Sequence, residues 1–302
     1  MLPKVDNNAL RERMKSLVEQ PKKENGKFKR DERLYNNHIN KYFKDTKEKN
    51  YNAIIRWLPA AEGEASMFIQ GLKHSFKQNG IFFAVKCVRY HDNTLPCPVC
   101  EYVSQNWKTW DDEQRKPMKR KSYYTSSIYI VKDKQYPELE GKVMLYEYSK
   151  DIFKKWWNKY SPSDIEETPV EIFDYEMGRN FKLKIETNGK FWNYDMSEFD
   201  DASKLCGGDE AKVNAVHKSI FSLDSYVEQI KKDNDYEKTA NRLKYVLNPP
   251  KKNEDDIDAD IPGDESNDSP GSMKTVDSME DAVVAGTSVG SGVDDMSFLE
   301  SM

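Results

Sequence analysis

Between His74 and Cys100 the chain reads HSFKQNGIFFAVKCVRYHDNTLPCPVC, and three of its four cysteines fall in this stretch as Cys87-x9-Cys97-x2-Cys100. Three thiolates and one imidazole form a common structural zinc set, which wants four ligands in a tetrahedron. The Cys97-Pro98-Val99-Cys100 turn is short enough to aim two thiolates at one point. Asn79-Gly80 is a strong two-residue turn signal followed by apolar β-formers. A two-residue loop there pairs Gln78 with Ile81, Phe76 with Phe83 and His74 with Val85. Cys87 then stands diagonally from His74 on one face, roughly 7–8 Å away, a gap that two side chains reaching for one metal can close. His91, four residues beyond Cys87, competes with His74 as the fourth ligand. Cys97-x2-Cys100 alone could be a redox pair, but the third cysteine and the histidine favour a metal.

The opposite face of the same hairpin carries Lys73, Lys77, Phe82 and Lys86. A solvated sheet face explains the lysines but not an exposed Phe. An aromatic among cations suits a groove that follows a phosphate backbone and stacks bases. A second concentration of the same kind is Lys119-Arg120-Lys121, running directly into a strand over Tyr123–Val131 with tyrosine and hydroxyl residues on both faces. A third is the hairpin at Asn188-Gly189, which puts Lys182, Lys184, Phe191 and Asn193 on one side. Arg56, inside a strand over Asn52–Leu58, is either paired or turned to a polyanion.

The charge balance agrees. The 302 residues carry a net −5, yet from Glu254 to Met302 there are fourteen acidic residues and one lysine, Lys274. That tail of −13 leaves +8 on residues 1–253. A basic body with an acidic appendage points to nucleic acid as partner. The opening MLPKVDNNALRERMK turns polar at once, and no apolar run approaches the ~20 residues of a membrane span. A reducing cytoplasm fits the sparse cysteines.

Positioning these groups calls for mixed α and β elements. A short amphipathic helix is expected over residues 6–20, ended by Pro21, then a polar surface excursion over 22–50. Tyr102–Met118 reads as helix and loop. Val143–Tyr148 alternates as a strand, Asp151–Tyr160 is a helix with Ile152, Phe153, Trp156 and Trp157 on its apolar side, and strands follow at Val170–Tyr175 and Phe181–Thr187. From about Asp201 the pattern is helical, with Ser222 or Asp224 as a cap and Tyr236–Leu247 as the last helix. Beyond Lys252 the chain is too poor in large apolar residues to order itself.

Taken in order, HSFKQNGIFFAVKC…CPVC, KRKSYY…IVKD, EGKV and FWNYD resemble the single-stranded DNA-binding (helix-destabilising) proteins of T-even-like bacteriophages. The motifs span roughly residues 50–200, and the layout of arm, zinc-containing core and acidic tail extends over the whole chain. The resemblance implies an α+β protein: an OB-fold core, a five-stranded Greek-key barrel, elaborated by a zinc subdomain and peripheral helices. It implies residues 1–21 as a self-association arm and 22–253 as the DNA-binding core, with the zinc subdomain at about 72–102. Residues 254–302 become a disordered partner-binding tail. It carries over His74, Cys87, Cys97 and Cys100 as ligands of one structural Zn2+. Phe82, Tyr124, Tyr146, Phe191 and Tyr194 become aromatic contacts, and Lys119, Arg120 and Lys121 the basic segment of the cleft. Implied partners are single-stranded DNA, other copies head to tail along it, and phage replication and recombination proteins at the tail, in the cytoplasm of an infected bacterium. Here only Lys4 precedes the first helix where the family often has a basic string, and Thr125 stands where it can have Trp.

A single-stranded RNA-binding translational regulator would use the same surface, since stacking does not separate the two polymers unless the 2′-OH is read. An enzyme is disfavoured. Four protein ligands close a zinc site to catalysis, and the deaminase signature requires His-x-Glu, whereas His74 is followed by Ser75-Phe76.

Overall fold

The computed structural model describes residues 31–164, 166–188 and 191–249. The expected helix over 6–20, the arm and the acidic tail lie outside them. The described elements are α1 (Asn36–Thr46), β1 (Asn50–Trp57), β2 (Ile69–Gln78), β3 (Ile81–Lys86), the one-turn α2 (Val88–His91), α3 (Pro98–Asn106), α4 (Asp112–Met118), β4 (Lys121–Asp133) and β5 (Val143–Tyr148). After these come α5 (Lys150–Tyr160), β6 (Arg179–Asn188), β7 (Phe191–Asn193), β8 (Glu198–Ala202), α6 (Glu210–Lys218), α7 (Leu223–Asp233) and α8 (Tyr236–Leu247).

The strands form one antiparallel eight-stranded sheet in the order β3-β2-β4-β1-β6-β7, with β5 on β4 and β8 on β6. Two long strands organise it. β4 pairs β2 through Lys121–Thr125 and β1 through Ile128–Asp133, so one strand joins the metal hairpin to the rest of the sheet. β6 pairs β1 along its middle and takes β8 and β7 at its two ends. The hairpin register is the one the Asn79-Gly80 turn predicts: Gln78 opposite Ile81, Phe76 opposite Phe83, His74 opposite Val85. Asn79 takes the left-handed conformation such a turn demands, with φ 51°.

Two main cores result. The larger, beneath β1, β4, β5 and β6, contains Trp57, Tyr124, Tyr146, Tyr148, Ile152, Trp156 and Phe181 and is sealed by α1 through Tyr35 and Ile39. The smaller belongs to the metal lobe: Phe76, Phe83, Val88, Val99 and Val103 close against Leu243 and Val246 of α8. The Asn79 amide fastens α8 there by donating to the carbonyls of Val246, at 3.0 Å, and Leu247, at 2.9 Å. The terminal carbonyls of a helix need such partners. Side-chain caps start the later helices, with Asp209, Ser222 and Asp235 each accepting backbone N–H groups.

Several expectations are corrected. Residues 22–50 are not all surface excursion, because Asn36–Thr46 is a helix whose Ile39 is buried. Val170–Tyr175 is irregular rather than a strand, and β8 replaces the start of the expected helical region. The strand with tyrosine and hydroxyl residues on both faces is core where it leaves the basic segment: every residue from Tyr123 to Ser127 is buried. β4 is a central strand with protein on both faces, and the Ser126 hydroxyl lies 2.9 Å from that of Tyr148 on β5. Gly71 makes this packing possible, since a Cβ there would stand 2.2 Å from the Tyr123 ring.

Candidate metal centre and nucleic-acid interface

One ligand atom each from His74, Cys87, Cys97 and Cys100 gathers within 4.8 Å of the others. β2 supplies His74. Cys87 directly follows β3, held by its N–H to the Leu72 carbonyl at 2.8 Å. Cys97 and Cys100 flank the first turn of α3, which begins at Pro98. The His74 Nε2 lies 3.5 Å from the Cys97 Sγ and 3.4 Å from the Cys100 Sγ, while the Cys87 and Cys100 sulfurs are 3.5 Å apart. Zn–S bonds of ~2.3 Å and Zn–N bonds of ~2.0–2.1 Å at tetrahedral angles give edges of about 3.6 Å, so the donor set fits a zinc ion. Hydrogen bonding from Cys100 and then Cys97 pulls the Cys87 thiol well below its ordinary value, whereas Cys100 is pushed far above its own because its neighbours compete for the charge. Three thiolates coexist only around a cation, which is what a divalent metal supplies. His91 stands apart, with its Nε2 3.1 Å from the Tyr123 hydroxyl.

The cationic face of the hairpin is divided. Lys77 is exposed and Phe82 half-buried. Lys73 and Lys86 instead turn to Glu147 of β5, with nitrogen–oxygen distances of 3.3 and 2.9 Å. The Lys86 ammonium also donates to the Tyr226 hydroxyl of α7 at 2.7 Å, and it lies 4.9 Å from the ring centroids of both Tyr123 and Tyr226. Burial pushes the Glu147 carboxyl up, but Lys86 and Lys73 outweigh it and hold it at about 2. This corrects the reading of Lys73 and Lys86 as open phosphate contacts, since their charge is already met inside the fold. Arg56 is corrected on the same grounds. It is 1 % exposed, and its guanidinium donates to the carbonyls of Ser203, at 2.7 Å, and Asp174, at 3.1 Å.

Lys119 is exposed and Arg120 and Lys121 are half-buried where α4 gives way to β4, with Lys121 opposite Lys73 in β2. Three residues on, the Tyr124 ring stacks on Phe153 of α5 at 4.1 Å between centroids and 10° between planes. Phe153 stacks in turn on Trp157 at 5.6 Å and 15°, while inward the column continues from Tyr124 to Tyr148 and Tyr146. Tyr146 is wholly buried, so its assignment as a surface contact is corrected: it is the inner end of the column. Tyr124 is also buried, and the half-exposed members are Phe153 and Trp157. Tyr90, 38 % exposed, stands near enough to Arg120 to feel its charge. Lys184 is paired with Glu198 at 3.0 Å, and Tyr194 is half-buried against Trp192. Phe191 lies opposite Asn188 at the start of β7, and its side chain lies outside the described residues.

Sequence reasoning missed Glu147, Tyr90 and the outward role of Phe153 and Trp157. The i, i+4 spacing of Phe153 and Trp157 was visible, but which neighbours covered them was not. Glu147 alternates with Tyr146 and Tyr148, so its position on the far face was legible while its partners were not.

A sheet-based α+β protein with a Cys3His centre and a basic segment leading into stacked aromatics is the class these features define. A family profile described as gp32 DNA binding protein like matches residues 49–247, about two thirds of the chain, and the chain belongs to that family. The chain is similar to the single-stranded DNA-binding protein of Enterobacteria phage T4, at 38 % identity over 176 residues, and to that of Enterobacteria phage T2, at 36 % over 176 residues. In both comparisons the match spans 57 % of this chain and 57 % of the relative. The single-stranded DNA-binding protein of Enterobacteria phage RB70 is 36 % identical over 77 residues, 25 % of this chain and 65 % of that relative. These relatives are named as DNA-binding proteins and not as enzymes, and nothing in the comparisons supports the RNA-binding alternative. Among the described residues no helix is long and apolar enough to cross a membrane.

Proposed function

We propose that this chain binds single-stranded DNA with little regard to sequence, coating and protecting it during phage replication, recombination and repair. The observation that carries this is the run from Lys119–Lys121 into the Tyr124–Phe153–Trp157 column, in a chain of the gp32 DNA binding protein like family. Cations beside half-exposed rings neutralise phosphates and stack any base without reading its identity. Lys119, Arg120, Lys121, Lys77, Phe82, Tyr90, Phe153, Trp157, Lys184, Phe191 and Tyr194 form the contact surface, and Tyr124 supports the column from beneath.

The sheet is an OB-type barrel extended by the metal lobe. One zinc ion, held by His74, Cys87, Cys97 and Cys100, supplies folding free energy to that lobe and does no chemistry, because its four positions are filled by protein. Residues 1–21 serve self-association along DNA and residues 254–302 recruit replication and recombination proteins, in the host cytoplasm. The −13 of the tail beside a body of +8 supports such a role, because it keeps an anionic competitor near the basic surface. Fluorescence titration with poly-dT at several salt concentrations tests the reading, with matched RNA as the control. Saturable quenching of Tyr and Trp emission, with affinity falling as salt rises, is expected. Equal affinity for RNA, or no salt dependence, would sink it.

A further inference from the structure

Beyond the basic segment, the structure holds a half-open cavity of about 650 Å³ between the second half of α5 and the paired ends of β6 and β8. Its walls combine two chemistries. Phe181 and Phe199, opposite one another in the β6–β8 ladder and 4.9 Å apart in an edge-on arrangement, provide an apolar side. Phe199 is half-buried, so part of its ring is open to the space. Lys155 and Lys159, one turn apart on α5, and Arg179 at the start of β6 provide the cationic side.

The acids in the wall meet one of these cations, Lys159, and leave Lys155 and Arg179. Glu198 is tied to Lys184, and Glu167 to Lys159 at 3.5 Å. Among the described residues Lys155 reaches only a neutral carbonyl, that of Asp195, at 3.0 Å. The Arg179 guanidinium has no hydrogen-bond or ion-pair partner among the described residues. An unmatched guanidinium and an ammonium beside an aromatic ring, in a space within the usual range of ligand sites, are complementary to a phosphate joined to a flat heterocycle. Lys155 of the cavity wall binds the carbonyl of Asp195, the residue that follows Tyr194 in the chain, which ties the cavity to the neighbourhood of that contact residue.

We propose that this cavity is a nucleotide subsite that takes one flanking nucleotide of a bound single strand, its phosphate against Arg179 and Lys155 and its base against Phe199. This rests on the single-stranded DNA-binding reading above and extends the footprint from the metal side of the sheet to the β6–β8 end. Its consequence is a dependence of affinity on strand length that the basic segment alone does not produce.

The test uses the full chain and dye-labelled oligo-dT of about 4 to about 16 nucleotides, the span of site sizes seen for one OB-type module. Arg179→Gln keeps bulk and polarity but removes charge, and Lys155→Ala sits on an accessible helix face. Either variant should bind the shortest strands as the unaltered chain does and the longest about tenfold more weakly. The salt slope should fall by about 0.7 on long strands only. Lys119→Ala, by contrast, should weaken every length. Equal weakening at all lengths, or none, would overturn the subsite. So would binding of free thymidine monophosphate that depends on Arg179 while oligomers are unaffected, since the occupant would then not be part of the strand. If the unaltered chain binds no length, the DNA-binding reading itself fails. That outcome is told apart because it needs no variant.

Discussion

The Glu147 carboxylate lies 2.9 Å from the Lys86 ammonium, and the two come from different parts of the sheet. Glu147 sits on β5 beside the tyrosine column, and Lys86 ends the strand that leads into the metal centre. With Lys73 and the Tyr226 hydroxyl they fasten the metal lobe, β5 and α7 together. Removing one member of a largely buried pair leaves an uncompensated charge. Glu147→Ala should therefore lower unfolding free energy by roughly 3–5 kcal/mol. Urea unfolding of the two proteins measures the difference. A change within about 0.5 kcal/mol, as for an ordinary surface site, would show that the lysines are satisfied some other way.

The same contact sets a pH dependence. The Glu147 carboxyl is held at about 2, below its ordinary 4.5, so the folded state binds the proton less readily than the unfolded state. Its stabilisation is complete above about 4.5 and is lost as pH falls through about 2. Other carboxylates titrate in the same window, so the measurement is a difference. The stability gap between the unaltered chain and Glu147→Gln should be largest near neutrality and close on acidification. A gap constant down to pH of about 2 would remove the electrostatic account.

Cys87→Ser or Cys97→Ser should abolish stoichiometric zinc in the purified protein and loosen the lobe that includes α8, because structural zinc contributes folding free energy directly. Elemental analysis and limited proteolysis would report the two effects. Full metal content in His74→Ala, with loss only in His91→Ala, would reassign the fourth ligand.

Surface and core aromatics should separate cleanly. Tyr90→Ala and Trp157→Ala should each weaken oligo-dT binding by roughly 1–3 kcal/mol with an unchanged salt slope. Lys119→Ala should lower the slope by about 0.7. Tyr146→Ala should cost roughly 3–5 kcal/mol of stability, the range for emptying a buried aromatic site. Anisotropy titrations paired with thermal melts distinguish the classes. If Tyr146→Ala left stability intact while weakening binding, the column would open to DNA at its inner end.

Asn79 joins local turn chemistry to a distant helix. Its left-handed backbone favours Asn or Gly, and its amide closes the end of α8. Asn79→Ala should cost about 2 kcal/mol, from the strained φ and the lost hydrogen bonds. Asn79→Gly should cost less, because it relieves the strain. Identical losses in the two variants, measured by urea unfolding, would deny the backbone contribution.

What the sequence by itself determined is what rests on local rules. The Asn79-Gly80 turn and period-two alternation set the hairpin register, and that register with the Cys97-x2-Cys100 spacing brought four ligand atoms together. The Ser222 cap and the Tyr236–Leu247 helix were legible for the same reason: caps and helical periodicity are read within a few residues. The second hairpin keeps Leu183, Ile185 and Trp192 inside as expected, but its register is not the one an Asn188-Gly189 turn sets, because Asn188 is itself paired, opposite Phe191. What only the tertiary structure decided is which polar and aromatic groups are covered. Arg56, Lys73 and Lys86 look like free cations in sequence, yet their partners, Ser203, Asp174 and Glu147, lie from 61 to 147 positions away. Tyr124 becomes core because Phe153 of α5 stacks on it, and Tyr146 because Tyr35 and Trp57 close over it, while Tyr90 stays partly open at the lobe surface. Burial is a property of what a side chain meets across the fold, and no pattern within one strand carries that information.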